Sequence, residues 1–239
     1  VVYVSTNTIL LWIFSPWRPT FSFRFHPLLE LLPFSSKLLF TSLFTHINNN
    51  IFSALLGRFY TIQQAGYYSQ GSKWTTMGYS TIFGMINSVG QPVFREASED
   101  TQRLQNIFRK LMRFTAFVSF PAMLGLAIVS QELIVISITE KWLPCVPVMQ
   151  ILCVWGAFMP ISTLYSNLMN SIGRPNIYMW NTIALGIFQL LCVWGSYPYG
   201  LNVMLIVYTA ANIFWLLIWH YFAHKHIGIS LLNTLKDIA

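Results

Sequence analysis

YGLNVMLIVYTAANIFWLLIWHYFA, residues 199–223, runs for 25 residues without an aspartate, glutamate, lysine or arginine. As a helix it is about 37 Å long, enough to cross roughly 30 Å of hydrocarbon. Working outward from it, the same test finds five more such stretches, near 35–57, 72–94, 111–131, 144–169 and 176–196. The expected fold class is therefore all-α: a polytopic membrane protein with about six complete transmembrane helices. Composition agrees, with 55% of residues hydrophobic and 9% charged, where an ordinary soluble domain has about 25% charged. So little charge cannot clothe a water-soluble surface on 239 residues.

Val1 to Phe14 is also apolar but only about 21 Å long as a helix, and it has neither an initiator Met nor a basic flank. It reads as the second half of a truncated transmembrane helix. Residues 15–34 break helical structure with Pro16, Pro19 and Pro27 and carry aromatics suited to the headgroup layer, so they read as a linker lying along the membrane. Residues 35–224 form the six-helix unit. Residues 225–239 read as an amphipathic end leading into further sequence.

Positive charge in short loops is retained in the cytoplasm, so the distribution of Lys and Arg gives an orientation. Alternate connections hold Arg18, Arg24 and Lys37, then Arg95, Arg103, Arg109, Lys110 and Arg113, then Arg174, then Lys225 and Lys236. The intervening connections hold Arg58, Lys73 and Lys141. Eleven against three predicts that the 95–113 connection and the C-terminal end are cytoplasmic. Topology thus accounts for the net charge of +7 without a nucleic-acid partner. Within 95–113, Leu104, Ile107, Phe108, Leu111 and Met112 follow an i, i+3, i+4 pattern after acids at 96, 99 and 100. This predicts a short amphipathic helix lying at the interface.

Polar residues inside the spans are tolerated only against other helices or water. His46, Asn48, Asn49 and Asn50 fall near the centre of the first span. Three consecutive asparagines cover about 200° of helix surface, which leaves both interhelical hydrogen bonding and cavity lining open, with His46 as a candidate proton carrier. The second span sets Ser80, Gly84 and Ser88 at spacing four, a pattern expected for close helix packing, with Asn87 and Gln91 as cavity candidates on an adjacent stripe. The 144–169 span combines Gly156 and Pro160, a kink signal, with Ser162, Thr163, Ser166, Asn167 and Asn170 towards one end. The candidate substrate-lining residues are therefore His46, Asn48, Asn49, Asn50, Asn87, Gln91, Asn167 and Asn170. No span contains an Asp or Glu, and Cys145, Cys153 and Cys192 read as small apolar residues in or beside spans.

An ordered set of short motifs adds a resemblance. Ala65-Gly66-Tyr67-Tyr68 follows the first span, Val93-Phe94 precedes the 100–104 helix start, and Pro121 lies in the next span. Lys141-Trp142-Leu143-Pro144, Val146-Pro147-Val148-Met149-Gln150-Ile151-Leu152 and Asn170-Ser171-Ile172-Gly173-Arg174-Pro175 complete the series. In order and spacing it resembles the Wzx-type oligosaccharide and lipopolysaccharide repeat-unit flippases of the multidrug, oligosaccharidyl-lipid and polysaccharide exporter superfamily. Where that family commonly has Phe-Pro, this chain has Phe94-Arg95.

The resemblance implies a C-terminal six-helix lobe of a two-lobe protein in the bacterial inner membrane, with 15–34 as the cytoplasmic inter-lobe linker. It implies translocation of an undecaprenyl-diphosphate-linked oligosaccharide by alternating access, with that lipid-linked sugar, membrane lipids and an N-terminal lobe of the same protein as partners. It brings no cofactor, metal or catalytic residue. Three alternatives stay open: a cation-coupled drug antiporter of the same superfamily, a membrane glycan polymerase or ligase, and a noncatalytic membrane scaffold.

Overall fold

A computed structural model describes residues 2–14, 29, 32, 35, 36, 39–44 and 56–238. The chain divides into two compact units, Val1–Ser36 and Lys37–Ala239. The first contains helix α1 (Val2–Phe14), on which Leu11, Ile13 and Phe14 are exposed. The second contains α2 (Ile62–Glu96), α3 (Thr101–Ile128), α4 (Ser130–Ser137), a 3₁₀ segment (Glu140–Cys145), α5 (Val146–Ser171), α6 (Pro175–Ser196), a 3₁₀ turn (Tyr197–Tyr199), α7 (Leu201–Ile227) and α8 (Leu231–Ile238). Among the described residues there is no strand.

This is an all-α, polytopic membrane protein. Four helical segments among the described residues, Thr101–Ile128, Glu140–Ser171, Pro175–Tyr199 and Leu201–Ile227, are long and apolar enough to cross a bilayer. Four of the six spans expected from hydropathy are thus met among the described residues. The 35–57 stretch falls largely outside the described residues. The 72–94 stretch belongs to α2, which has 35 residues but carries so many hydroxyl and amide side chains that its hydropathy stays low.

Local chemistry fixes the helix ends. Thr61 and Gln64 form a capping box at the start of α2, Gln64 N donating to Thr61 Oγ1 at 3.3 Å and Thr61 N donating to Gln64 Oε1 at 3.2 Å. Asp100 Oδ1 caps α3 by accepting from Gln102 N at 2.9 Å and Arg103 N at 3.0 Å. Gly228, at φ +69, closes α7 in the left-handed region, its N–H donating to His224 O at 2.8 Å.

The separate interfacial helix expected within 95–113 does not form. Thr101 to Ile128 is one helix, because nothing after the Asp100 cap interrupts the backbone ladder and Pro121 forfeits only its own hydrogen bond within it. Leu104, Phe108 and Met112 of the expected apolar face are buried in a protein core with Phe94, Leu164, Tyr165, Leu168 and Trp219 rather than laid on lipid.

α5 is the central helix, packed against α2, α3 and α7. Lipid tails are as apolar as leucine, so such contacts depend on close approach and interhelical hydrogen bonds. Gly71 supplies that approach: a Cβ there would lie 3.1 Å from Met149 N and 3.1 Å from Val148 Cγ1. Gly156 does the same from α5, where a Cβ would lie 2.6 Å from Met123 Cε and 3.2 Å from Thr75 Cγ2. The contact face of α2 is thus Gly71, Thr75, Ile82, Ile86 and Gly90, all buried. The stripe expected to pack, Ser80, Gly84 and Ser88, is exposed instead, and among the described residues no neighbouring element lies within 4 Å of a Cβ built on Gly84. Spacing alone does not say which of two small-residue stripes meets a neighbour.

At one end of the bundle α8 docks on α3. The Asp237 carboxylate accepts from Arg109 Nε at 2.7 Å, Arg109 Nη2 at 3.2 Å and Arg113 Nε at 2.5 Å. Beside it the buried His220 Nδ1 lies 3.3 Å from the Tyr165 hydroxyl and 3.5 Å from Thr234 Oγ1.

Candidate functional site

The packing of α2 against α5 leaves a cavity of about 710 Å³ towards α6 and α7. From α2 it is lined by Ala65, Tyr68, Ser69, Ser72, Lys73, Thr75, Thr76 and Tyr79. These residues recur at three- and four-residue intervals, so they form one helical stripe. α5 adds Leu152, Trp155 and Met159, and α6 and α7 add Gln189, Leu190 and Tyr208, with Leu56 completing the wall. Gln189 is held in place because its Nε2 donates to Asn212 Oδ1 at 2.8 Å, while Asn212 Nδ2 donates to Tyr208 O at 2.8 Å.

The chemistry of this lining is specific in kind. Among the described residues it presents hydroxyl groups, one amide, four aromatic faces from Tyr68, Tyr79, Trp155 and Tyr208, and Lys73 as the sole charge. Hydroxyls and amides exchange hydrogen bonds with a polyhydroxylated solute, aromatic faces cover its apolar ring faces, and an ammonium attracts an acid or phosphate. Among the described residues no group of histidine, cysteine or acidic side chains could hold a metal ion.

The motif Ala65-Gly66-Tyr67-Tyr68 divides its work here. Ala65 and Tyr68 line the cavity, whereas Tyr67 packs edge-on against Trp142 with centroids 6.1 Å apart. The first tyrosine thereby joins the start of α2 to the Lys141-Trp142-Leu143-Pro144 motif.

The residues singled out by sequence are placed elsewhere. His46, Asn48, Asn49 and Asn50 lie outside the described residues. Asn87, Gln91 and Asn167 come together where α2 and α5 cross, beyond the cavity along both helices. Asn167, 3% exposed, donates from Nδ2 to Asn87 Oδ1 at 3.1 Å and accepts from Gln91 Nε2 at 3.2 Å. Ser171 Oγ donates to Gln91 O at 3.2 Å, one turn on. Asn170 does not join them: its Oδ1 is buried without a hydrogen-bond partner among the described residues.

The cavity residues were missed because tyrosine, serine and tryptophan near a span end carry the bland reading of interface residues. The usable signal was the stripe Tyr68, Ser72, Thr75, Thr76 and Tyr79, which becomes visible once the helix is extended upstream to Ile62.

Residues 1–147 match a family described as polysaccharide biosynthesis protein. That region contains the whole α2 wall of the cavity. The chain belongs to this polysaccharide biosynthesis family. Among curated relatives, it is 27% identical over 173 residues to the lipopolysaccharide biosynthesis protein WzxC of Escherichia coli K12, covering 72% of this chain and 35% of that one. It is 25% identical over 191 residues to the teichuronic acid biosynthesis protein TuaB of Bacillus subtilis 168, covering 79% of this chain and 40% of that one. A membrane protein encoded in the cps region of Klebsiella pneumoniae is 28% identical over 158 residues, 66% of this chain and 33% of that one. The chain thus spans between a third and two fifths of the length of these relatives. No solved structure matches it.

Proposed function

We propose that this chain forms part of a flippase that carries undecaprenyl-diphosphate-linked oligosaccharide repeat units across the bacterial inner membrane for lipopolysaccharide, capsule or exopolysaccharide synthesis, without making or breaking a covalent bond. The cavity between α2, α5, α6 and α7 carries this reading, because its hydroxyl, amide and aromatic lining suits a glycan and the Lys73 ammonium suits an anionic group. Lys73 would repel a cationic drug, which weighs against the antiporter alternative. Membership of a polysaccharide biosynthesis family supports the same direction. The reading takes residues 35–224 as one lobe, working with a second lobe of the same protein across 15–34. The arginine-rich end of α3 and the end holding α8 are then cytoplasmic.

The test uses the intact protein in its native membrane. Deleting its gene should leave lipid-linked oligosaccharide on the cytoplasmic face, read with an impermeant glycan probe on oriented vesicles. Restoring a Tyr68→Ala, Lys73→Ala double variant should leave that accumulation in place at normal protein levels. Normal sidedness after deletion would refute the flippase, and full rescue by the double variant would remove the cavity from its path.

A further inference from the structure

A second concavity, about 430 Å³, lies between α6 and α7. Ile177, Trp180 and Ala184 of α6 face Trp215, Ile218 and Phe222 of α7 across it, so its walls are hydrocarbon and aromatic. It opens on an exposed apolar face of the bundle, where Trp180, Phe214 and Leu217 are all at least half exposed. Apolar walls alone would fit any hydrocarbon chain.

One polar group departs from that pattern. Asn181 borders the groove and is 5% exposed. Its Oδ1 accepts from Trp215 Nε1 at 2.6 Å, which fixes the amide with Nδ2 as the remaining donor. That Nδ2 is buried and has no hydrogen-bond partner among the described residues. An unpaired amide donor in an apolar setting is costly, and an oxygen delivered by a ligand would relieve it.

The neighbouring charges say what kind of ligand. Arg174, at the start of α6, is exposed, and its charge is close enough to couple with His226 at the end of α7, next to the exposed Lys225. This end of the groove is therefore basic and lies at the helix ends, where phosphate headgroups sit. Asn181 is seven residues further into α6, roughly 10 Å deeper. The headgroup layer is about 5–8 Å thick on each side of the hydrocarbon, so with Arg174 at its outer edge Asn181 lies about 2–5 Å inside its inner boundary. An acyl-ester glycerolipid carries its carbonyl oxygens at that depth. A polyprenyl diphosphate carries no oxygen beyond its phosphates and would leave the donor unpaired.

We propose that the α6–α7 groove binds one anionic glycerophospholipid. Its phosphate sits by Arg174 and Lys225, an ester carbonyl accepts from Asn181 Nδ2, and the acyl chain lies between Trp180 and Trp215. The site is distinct from the cavity and independent of what the cavity transports.

The experiment is native mass spectrometry of the delipidated full-length protein, offered phosphatidylglycerol, its diether analogue without carbonyls, phosphatidylcholine and undecaprenyl diphosphate. Phosphatidylglycerol should be retained most, and the diether about fivefold less, as loss of one hydrogen bond implies. Asn181→Leu should make ester and ether equal. Ala184→Trp, which fills the groove from an exposed position, should displace both without lowering the melting temperature, and it decides the matter if Asn181→Leu folds poorly. Equal retention of ester and ether by the unaltered protein would overturn the proposal. So would preferential binding of undecaprenyl diphosphate, or a lipid-free groove whose Ala184 position cross-links to another part of the protein.

Discussion

Asn167→Ala should loosen the crossing of α2 and α5 by about 2–3 kcal/mol. Asn167 bonds both Asn87 and Gln91, so a single residue on α5 holds a full turn of α2. Interhelical hydrogen bonds inside membranes average about 0.6 kcal/mol and reach about 1.7, so two of them contribute about 1–2 kcal/mol. Truncation also leaves a hole bordered by Gly90, where a Cβ would lie 3.2 Å from Asn167 Nδ2 and 3.9 Å from Asn167 Cβ. A glycine has no side chain to swing into that space, which adds about 1 kcal/mol.

The same geometry predicts a coupling. Gly90→Ala alone should cost under about 1 kcal/mol by crowding Asn167, yet in the Asn167→Ala background it should recover part of the loss by filling the hole. Reversible unfolding of the intact protein in mixed micelles measures all four corners of this cycle. A change below about 0.5 kcal/mol for Asn167→Ala, together with lost glycan export, would refute the packing role and make Asn167 a lining residue. Stability loss with additive Gly90→Ala would refute the geometry of the hole.

Two further predictions follow from packing and charge. Gly71→Ala should destabilise by about 1–3 kcal/mol, since the new methyl meets the Met149 backbone nitrogen, which cannot swing away. Gly84→Ala on the same helix meets nothing among the described residues and should be neutral or stabilising by up to about 1 kcal/mol; equal melting temperatures for the two would sink the assignment of the contact face. For Asp237, burial pushes the carboxyl pKa up, but the hydrogen bonds and charges of Arg109 and Arg113 outweigh it and hold it below the usual range. A depressed folded value means that the clasp on α8 is complete above the unfolded value near about 3.9 and is lost as pH falls through the lower folded one. Hydrogen exchange in α8 should therefore stay slow down to about pH 4 and rise below it, and Asp237→Asn should exchange fast at all pH values; an acid limb that survives the substitution would disprove this.

Hydropathy read the apolar helices to within a few residues. The expected 144–169, 176–196 and 199–223 became Val146–Ser171, Pro175–Ser196 and Leu201–Ile227. It erred where lipid contact and helix extent part company. α2 begins ten residues before its apolar window because a capping box at Thr61 starts it, and its first turns are polar where they line the cavity. α3 runs through the charged segment for the same reason, a cap at Asp100 and no breaker. Partners were beyond reach: helical spacing put Asn87 and Gln91 on one stripe, but only the crossing of α5 supplies Asn167, and only that crossing says that Gly90, not Gly84, needed to be small.

The exposed Ser80-Gly84-Ser88 stripe then needs another explanation. At about 100° per residue, Ser80 and Gly84 point about 180° and 140° away from Gly71, the centre of the contact with α5. They fall within the same sector of α2 as Lys73 and Thr76 of the cavity before them and Gln91 after them. Ser80 and Ser88 satisfy their own hydroxyls by donating to Met77 O at 3.0 Å and Met85 O at 2.9 Å, so they alone would tolerate lipid. Lys73, exposed on that side, would not. The sector therefore reads as a water-facing strip that links the cavity to the amide crossing, and Gly84 keeps its middle open. On the proposed function, Gly84→Trp should block glycan export while leaving the melting temperature within a degree or two, because no atom of a neighbouring element among the described residues lies within 4 Å of a Cβ built there. Export at the normal rate with a tryptophan at this position would show that the substrate does not travel along this face of α2.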